Sequence, residues 1–191
     1  MIRAILSYLA TIIIYCGCCS LTEKRLNINE KLEGTSESKI LWPLTHKPAV
    51  LSFVYTSCRN ARRCPAVAHQ MAALHQSLEK DGLADKVDLV LISFDADTDT
   101  PERRIAYGKW LGVEWSEHFQ FLALANAKEQ PAFFEKLGVS IGYSTDENGK
   151  MTVTGHTLNM LILDRDQQIA KRYQSKLWSN DEVMHELRKM L

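Results

Sequence analysis

The sequence predicts an α/β domain with a central mixed sheet flanked by helices, and three observations carry that prediction. From Ile40 onward, apolar runs of strand length alternate with amphipathic stretches of helix length. Glycine, proline and capping residues fall between the runs, where turns and helix ends belong. The chain has 191 residues, 46% hydrophobic and 24% charged, the size and balance of one globular domain. Lys+Arg and Asp+Glu are balanced at 23 each, and no long charged block breaks the balance. That excludes a nucleic-acid binder held by phosphate contacts.

The N-terminus is a separate problem. MIRAILSYLATIIIYCGCCSLTEKR carries Arg3, runs uncharged over residues 4–22, and turns polar at Glu23, Lys24 and Arg25. This pattern is an export or anchoring segment. Its apolar heart, residues 4–15, has signal-peptide length, while the whole uncharged run just reaches the roughly 20 residues that cross a bilayer. Gly17 ahead of Cys18 resembles the lipobox of bacterial lipoproteins, with Tyr15 standing where a leucine is usual. Residues 1–20 therefore read as a signal peptide, lipoprotein signal or membrane anchor. Residues 21–40 are polar and lack a sustained apolar period, as a tether does, and residues 41–191 form the folded domain. Export places that domain where thiols are oxidised unless something keeps them reduced.

Within the domain, residues 49–55 (AVLSFVY) form an apolar run suited to a central strand. After TSCRNARRC, Pro65 suits a first helical turn, and Val67, Met71, Leu74 and Leu78 share one helix face. A second buried strand covers residues 87–94. Thr100, Pro101 and Glu102 start the next helix, with Ile105 and Leu111 on its apolar side and Gly112 at its end. Residues 119–124 (FQFLAL) and a helix through Phe133, Phe134 and Leu137, stopping at Gly138, make a third pair. Asn148-Gly149 marks the tip of a hairpin. Residues 159–163 and 168–173 flank Asp164-Arg165-Asp166 as an antiparallel hairpin. Ser179 and Glu182 form a capping box for a last helix that turns Val183, Leu187 and Met190 inward. This order, with one additional βα pair, is that of a thioredoxin-like fold with a βα insertion.

Five cysteines divide into two groups: Cys16, Cys18 and Cys19 belong to the N-terminal segment, Cys58 and Cys64 to the loop after the first long strand. That loop ends at a helix start, where unpaired N–H groups and the helix dipole favour a thiolate. Arg59, Arg62 and Arg63 are expected to lower the thiol pKa further. A purely structural disulfide fits less well, because the loop is polar.

FVYTSCRNARRCP, SFDADTDTPERRIAYGKWLG and GHTLNMLILD together resemble the Sco/SenC family of copper chaperones. The resemblance rests on Tyr55-Thr56, Cys58, Cys64-Pro65, then Asp95, Asp99, Thr100 and Pro101, then His156 ahead of Met160 and Asp164. It implies copper held by Cys58, Cys64 and His156, and a role in building the CuA centre of cytochrome c oxidase. The implied partner is the oxidase subunit carrying that centre, or another exported protein bearing copper or thiols. The implied location is the periplasmic side of the inner membrane. The ligand chemistry agrees: two thiolates suit soft Cu(I), and an imidazole helps accommodate Cu(II), although zinc takes the same donors.

Two departures stand out. The family has three residues between its cysteines where this chain has five, and it commonly has Asp where this chain has Gly155. The alternative function is a thiol-disulfide oxidoreductase, with Cys58 and Cys64 as its catalytic pair. A thioredoxin, however, keeps a cis-proline opposite its cysteines, and this chain has no proline after Pro131. A peroxiredoxin-type peroxidase would need Pro-x-x-x-Thr-x-x-Cys, which residues 49–58 lack. His46, His69, His75, His118 and His185 read as solvated or surface residues rather than ligands. Asp95, Asp97 and Asp99 read as a strand end and helix cap rather than a hard-cation site. The four tryptophans, Trp42, Trp110, Trp115 and Trp178, read as packing.

Overall fold

The computed structural model describes residues 30–35, 39–41, 46–60, 62–174 and 177–191. In chain order the elements are β1 (Lys31–Glu33), β2 (Lys39–Leu41), β3 (Ala49–Val54), α1 (Cys64–Lys80), β4 (Asp88–Ser93) and α2 (Pro101–Leu111). They continue with β5 (Phe119–Leu124), a 3-10 turn (Ala127–Glu129), α3 (Gln130–Lys136), β6 (Ile141–Thr145), β7 (Met151–His156), β8 (Asn159–Leu163), β9 (Ile169–Gln174) and α4 (Asn180–Arg188).

Every residue of β3, β4 and β8 is buried. That is why their sequences are apolar runs rather than alternations: both faces of these strands are covered. The sheet has seven strands in the order β2-β1-β5-β4-β3-β8-β9. β3, β4 and β5 run parallel, with Val50 opposite Leu89 and Leu89 opposite Phe119. β8 is antiparallel to β3, Leu51 facing Leu161, and β9 is antiparallel to β8. The helices flank this sheet. α1 packs on β3 and β4 and against α4. α3 meets the sheet through Phe134, whose ring lies 5.7 Å from Phe53 and 6.2 Å from Phe94. β6 and β7 form a separate hairpin in which Ile141 faces His156, so this excursion delivers a histidine beside the main sheet.

The strands and helices expected from the periodicity are present, with four corrections. The tether reading of residues 21–40 does not hold at its end: β1 adds antiparallel to β5, placing fully buried Leu32 opposite Leu124. A single apolar residue in a three-residue strand carries no period to read. On α2, Ile105 is 39% exposed, whereas Arg104, Tyr107 and Gly108 face inward. Arg104 can be buried because its guanidinium donates to the carbonyls of Asp99, Glu33 and Gly34. Ser179 stands at the N-cap of α4, but its side chain makes no capping hydrogen bond. Cys64 is the first residue of α1 rather than part of the loop. Gly112 closes α2 at φ 72°, a left-handed backbone that favours glycine. The segment 1–20 lies outside the described residues. Among the described residues, no helix is long and apolar enough to cross a membrane.

Candidate metal centre

The site is assembled from three chain segments, and each is fastened by a different polar contact. Beyond β3 the chain leaves the sheet at Tyr55 and Thr56. Thr56 is pinned by Asp99, whose carboxylate accepts from the Thr56 N–H at 3.1 and 3.2 Å and from the Thr56 hydroxyl. Ser93 Oγ donates to the same carboxylate at 2.6 Å. Asp99 is fully buried. Burial raises its pKa, while the Ser93 and Thr56 donors pull it back down. The sequence reading made this residue part of a helix cap. The structure gives the cap to Thr100, whose hydroxyl accepts from Arg103 N–H at 3.4 Å, and gives Asp99 the task of joining two loops.

Cys58 follows that anchor. Its N–H donates to Tyr55 O at 3.3 Å, and its side chain is half-buried. The spacer then makes its own turn: Asn60 accepts from Arg62 N–H through its side chain at 3.1 Å and from Arg63 N–H through its carbonyl at 3.0 Å. Cys64 opens α1 and is completely buried. Burial pushes the Cys64 thiol well up from its ordinary value, against a backbone hydrogen bond at Tyr55 and the Arg63 charge, which both lower it. The expectation that arginines would leave this thiol acidic is therefore corrected: desolvation outweighs them, and Arg59 and Arg62 point their charge into solvent as exposed residues.

His156 ends β7. Its Nδ1 lies 3.2 Å from Thr157 O and donates to that carbonyl, which leaves the Nε2 lone pair, 3.5 Å from Cys64 Sγ, to accept from the thiol or to bind a metal ion. The ring packs against Phe94 at 4.7 Å and meets Tyr55 edge-on at 5.9 Å. Burial lowers the imidazole pKa, Thr157 raises it, and the Arg63 guanidinium lowers it again. Tyr55 is itself pushed up to about 12 by burial, with Cys58 adding to the rise. Arg63 is the third fastening: its Nη2 donates to the His156 carbonyl, tying the start of α1 to the end of β7.

The outcome is that one donor atom each of Cys58, Cys64 and His156 all lie within 4.8 Å of one another, the single such group among the described residues. The set fits a soft metal ion. It offers two sulfurs and a neutral imidazole nitrogen whose other nitrogen is already hydrogen-bonded, as ligand histidines are. A cavity of about 680 Å³ opens beside it, lined in part by Phe134, Tyr143, Gly155 and His156. A Cβ at Gly155 would meet nothing within 4 Å, so a side chain at this position would have open space.

The other sequence candidates stay apart from this group. His69 stacks on Trp110 at 4.7 Å, His75 pairs with Glu79 at 3.7 Å and His118 with Asp88 at 3.3 Å. Sequence reasoning missed Arg63 and Asp99 as the residues that hold the site. Arg63 was visible as a charge beside Cys64, but its partner is a backbone carbonyl 93 positions away.

Fold and site together define a thioredoxin-like protein carrying a cysteine–cysteine–histidine group at the start of its first long helix. The SCO1/SenC family model matches residues 43–191, and the chain belongs to that family. No curated protein sequence matches it. Among solved structures, it is similar to a SCO1/SenC family lipoprotein from Bacillus anthracis, at 18% identity and a TM-score of 0.72 over 89% of this chain and 96% of that one. It is also similar to copper-bound ScoI of Bradyrhizobium japonicum, at 23% identity and a TM-score of 0.66, covering 85% of this chain and 97% of that one. A third is BsSco, described as having a disulfide switch and as a member of the Sco family of cytochrome c oxidase assembly proteins. There the identity is 15% and the TM-score 0.70, over 88% of this chain and 94% of that one.

Proposed function

We propose that this protein is an exported, membrane-tethered copper chaperone that carries copper on Cys58, Cys64 and His156 and assists assembly of the CuA centre of cytochrome c oxidase. The observation that carries the proposal is the convergence of the three donor atoms within 4.8 Å. Copper here is cargo: ligands from three separate segments can be released in turn to a docked recipient. The family supports the reading through the ScoI protein seen with copper and the assembly role stated for BsSco. The apolar, cysteine-bearing segment 1–20 supports tethering on the periplasmic side of the inner membrane.

A thiol-disulfide role is the second reading. The Cys58 and Cys64 sulfurs are close enough for modest movement to join them, with two electrons and two protons passing to a disulfide of a copper-receiving partner, which is reduced to two thiols, and BsSco is described with a disulfide switch. The test is an anaerobic Cu(I) titration of the reduced full chain, alone and as His156→Ala, with Cys58→Ser and Cys64→Ser separating this site from the N-terminal cysteines. One site that both cysteine variants abolish and His156→Ala weakens supports the chaperone. Disulfide cycling that survives His156→Ala, with no copper bound at Cys58 and Cys64, overturns it in favour of the redox role.

A further inference from the structure

The loop that carries Cys58 is ringed by positive charge. Arg59 and Arg62 are exposed and Arg63 is half-buried. Exposed Arg103 reaches across from α2 to within 3.5 Å of Ser57 Oγ. Beside them runs a groove of about 360 Å³ lined by Thr56, Ser57, Arg103, Ala106, Tyr107 and Trp110. Trp110 keeps 54% of its surface in water. Arginine and tryptophan are the side chains that most often dominate binding at protein interfaces. Local acids do not cancel the charge. Asp99 is buried and committed to Thr56 and Ser93, and Glu102, exposed on α2, offsets only one of the four arginines. Asp97 remains as the exposed acid of that loop.

We infer that this surface docks an acidic face of the protein with which Cys58 exchanges metal or sulfur. The inference deepens the proposed function and rests on its reading that Cys58 meets a partner. Charge complementarity argues for the occupant: cations clustered around the half-exposed Cys58 sulfur raise the encounter rate with an anionic partner and repel a cationic one. A protein is favoured over an anionic lipid surface because the cations border a concave groove, and because they surround a cysteine whose chemistry needs a thiol or metal site opposite.

The test uses two short peptides, each with one cysteine activated as a 2-thiopyridine disulfide, one flanked by Glu and the other by Lys. The Cys58 thiolate attacks the peptide sulfur, forming a new disulfide and expelling 2-thiopyridone, so both probes share one leaving group. Mass spectrometry of the digested full chain reads reaction at Cys58 separately from the N-terminal cysteines, counting the Cys58 adduct together with the Cys58–Cys64 disulfide that forms when Cys64 displaces the peptide thiol. The Glu peptide should react about tenfold faster at low ionic strength, and the ratio should fall toward one in about 0.5 M NaCl. Arg59→Glu/Arg62→Glu/Arg103→Glu should reverse the preference. The corresponding triple Gln variant, checked by circular dichroism, should erase it without added negative charge. Equal rates in the wild type, or a preference that survives both variants, would overturn the inference. So would protection of Cys58 by phosphatidylglycerol vesicles but not by phosphatidylcholine vesicles. Copper content separates the two readings: normal loading with no peptide preference sinks the docking surface alone, and preference without copper sinks the metal reading alone.

Discussion

Replacing Arg63 with Met removes the strap between buried Cys64 and half-buried His156 while leaving all three proposed ligands in place. Arg63 donates to the His156 carbonyl from the residue that immediately precedes Cys64. A hydrogen bond from a charged donor contributes about 1.5–3 kcal/mol. Arg63 is half-buried, so solvent screening favours the lower end, about 1.5 kcal/mol. At about 1.4 kcal/mol per decade, this weakens copper binding roughly tenfold. The charge acts in the same direction, because two thiolates with Cu(I) carry one net negative charge that the guanidinium offsets. Arg63→Lys should fall between wild type and Arg63→Met, since it keeps the charge and loses the planar fork. The assay is anaerobic competition for Cu(I) against a chelator of known affinity, on variants with wild-type circular dichroism. An Arg63→Met affinity within about twofold of wild type would show that the site holds its geometry without the strap, and would refute this reasoning.

Two further expectations follow from the same residues. Burial keeps the Cys64 thiol protonated at neutral pH, so loading a metal ion must expel that proton, whereas His156, held below the ordinary imidazole range, is already neutral. Copper affinity should therefore rise with pH by about tenfold per unit for that proton, and a flat profile in pH-stat or competition titrations would contradict it. Asp99→Ala should destabilise the domain by about 3 kcal/mol in chemical denaturation, because buried Ser93 and the Thr56 donors lose their acceptor; a loss below about 1 kcal/mol would mean that the loops are held by other contacts.

Much of the fold was legible because the buried strands are apolar along their whole length and the helix faces of α1 and α4 repeat cleanly, as Val67, Met71, Leu74 and Leu78 do. The cysteine pair and His156 were legible as a set, from residue chemistry and from resemblance, and the structure brings them together. What escaped was whatever depended on backbone carbonyls far away in sequence. Arg104 reads as a surface residue until the Glu33 and Gly34 carbonyls are placed against it, and only then does Ile105 turn outward. The effect of the arginines on Cys64 was misjudged for a related reason: charges are visible in a sequence, whereas the desolvation that overrides them is not.

The two fastenings of the cysteine loop lie at its ends, Thr56 on Asp99 and Arg63 on His156, with Cys58 and the spacer between them. Lengthening a closed loop is entropically cheap, about 0.6 kcal/mol per doubling, so insertions there are absorbed by a local turn such as the one built on Asn60. The spacer is thus a part of the loop whose length and charge could be changed to suit a different recipient while the fastenings at Thr56 and Arg63 stay in place.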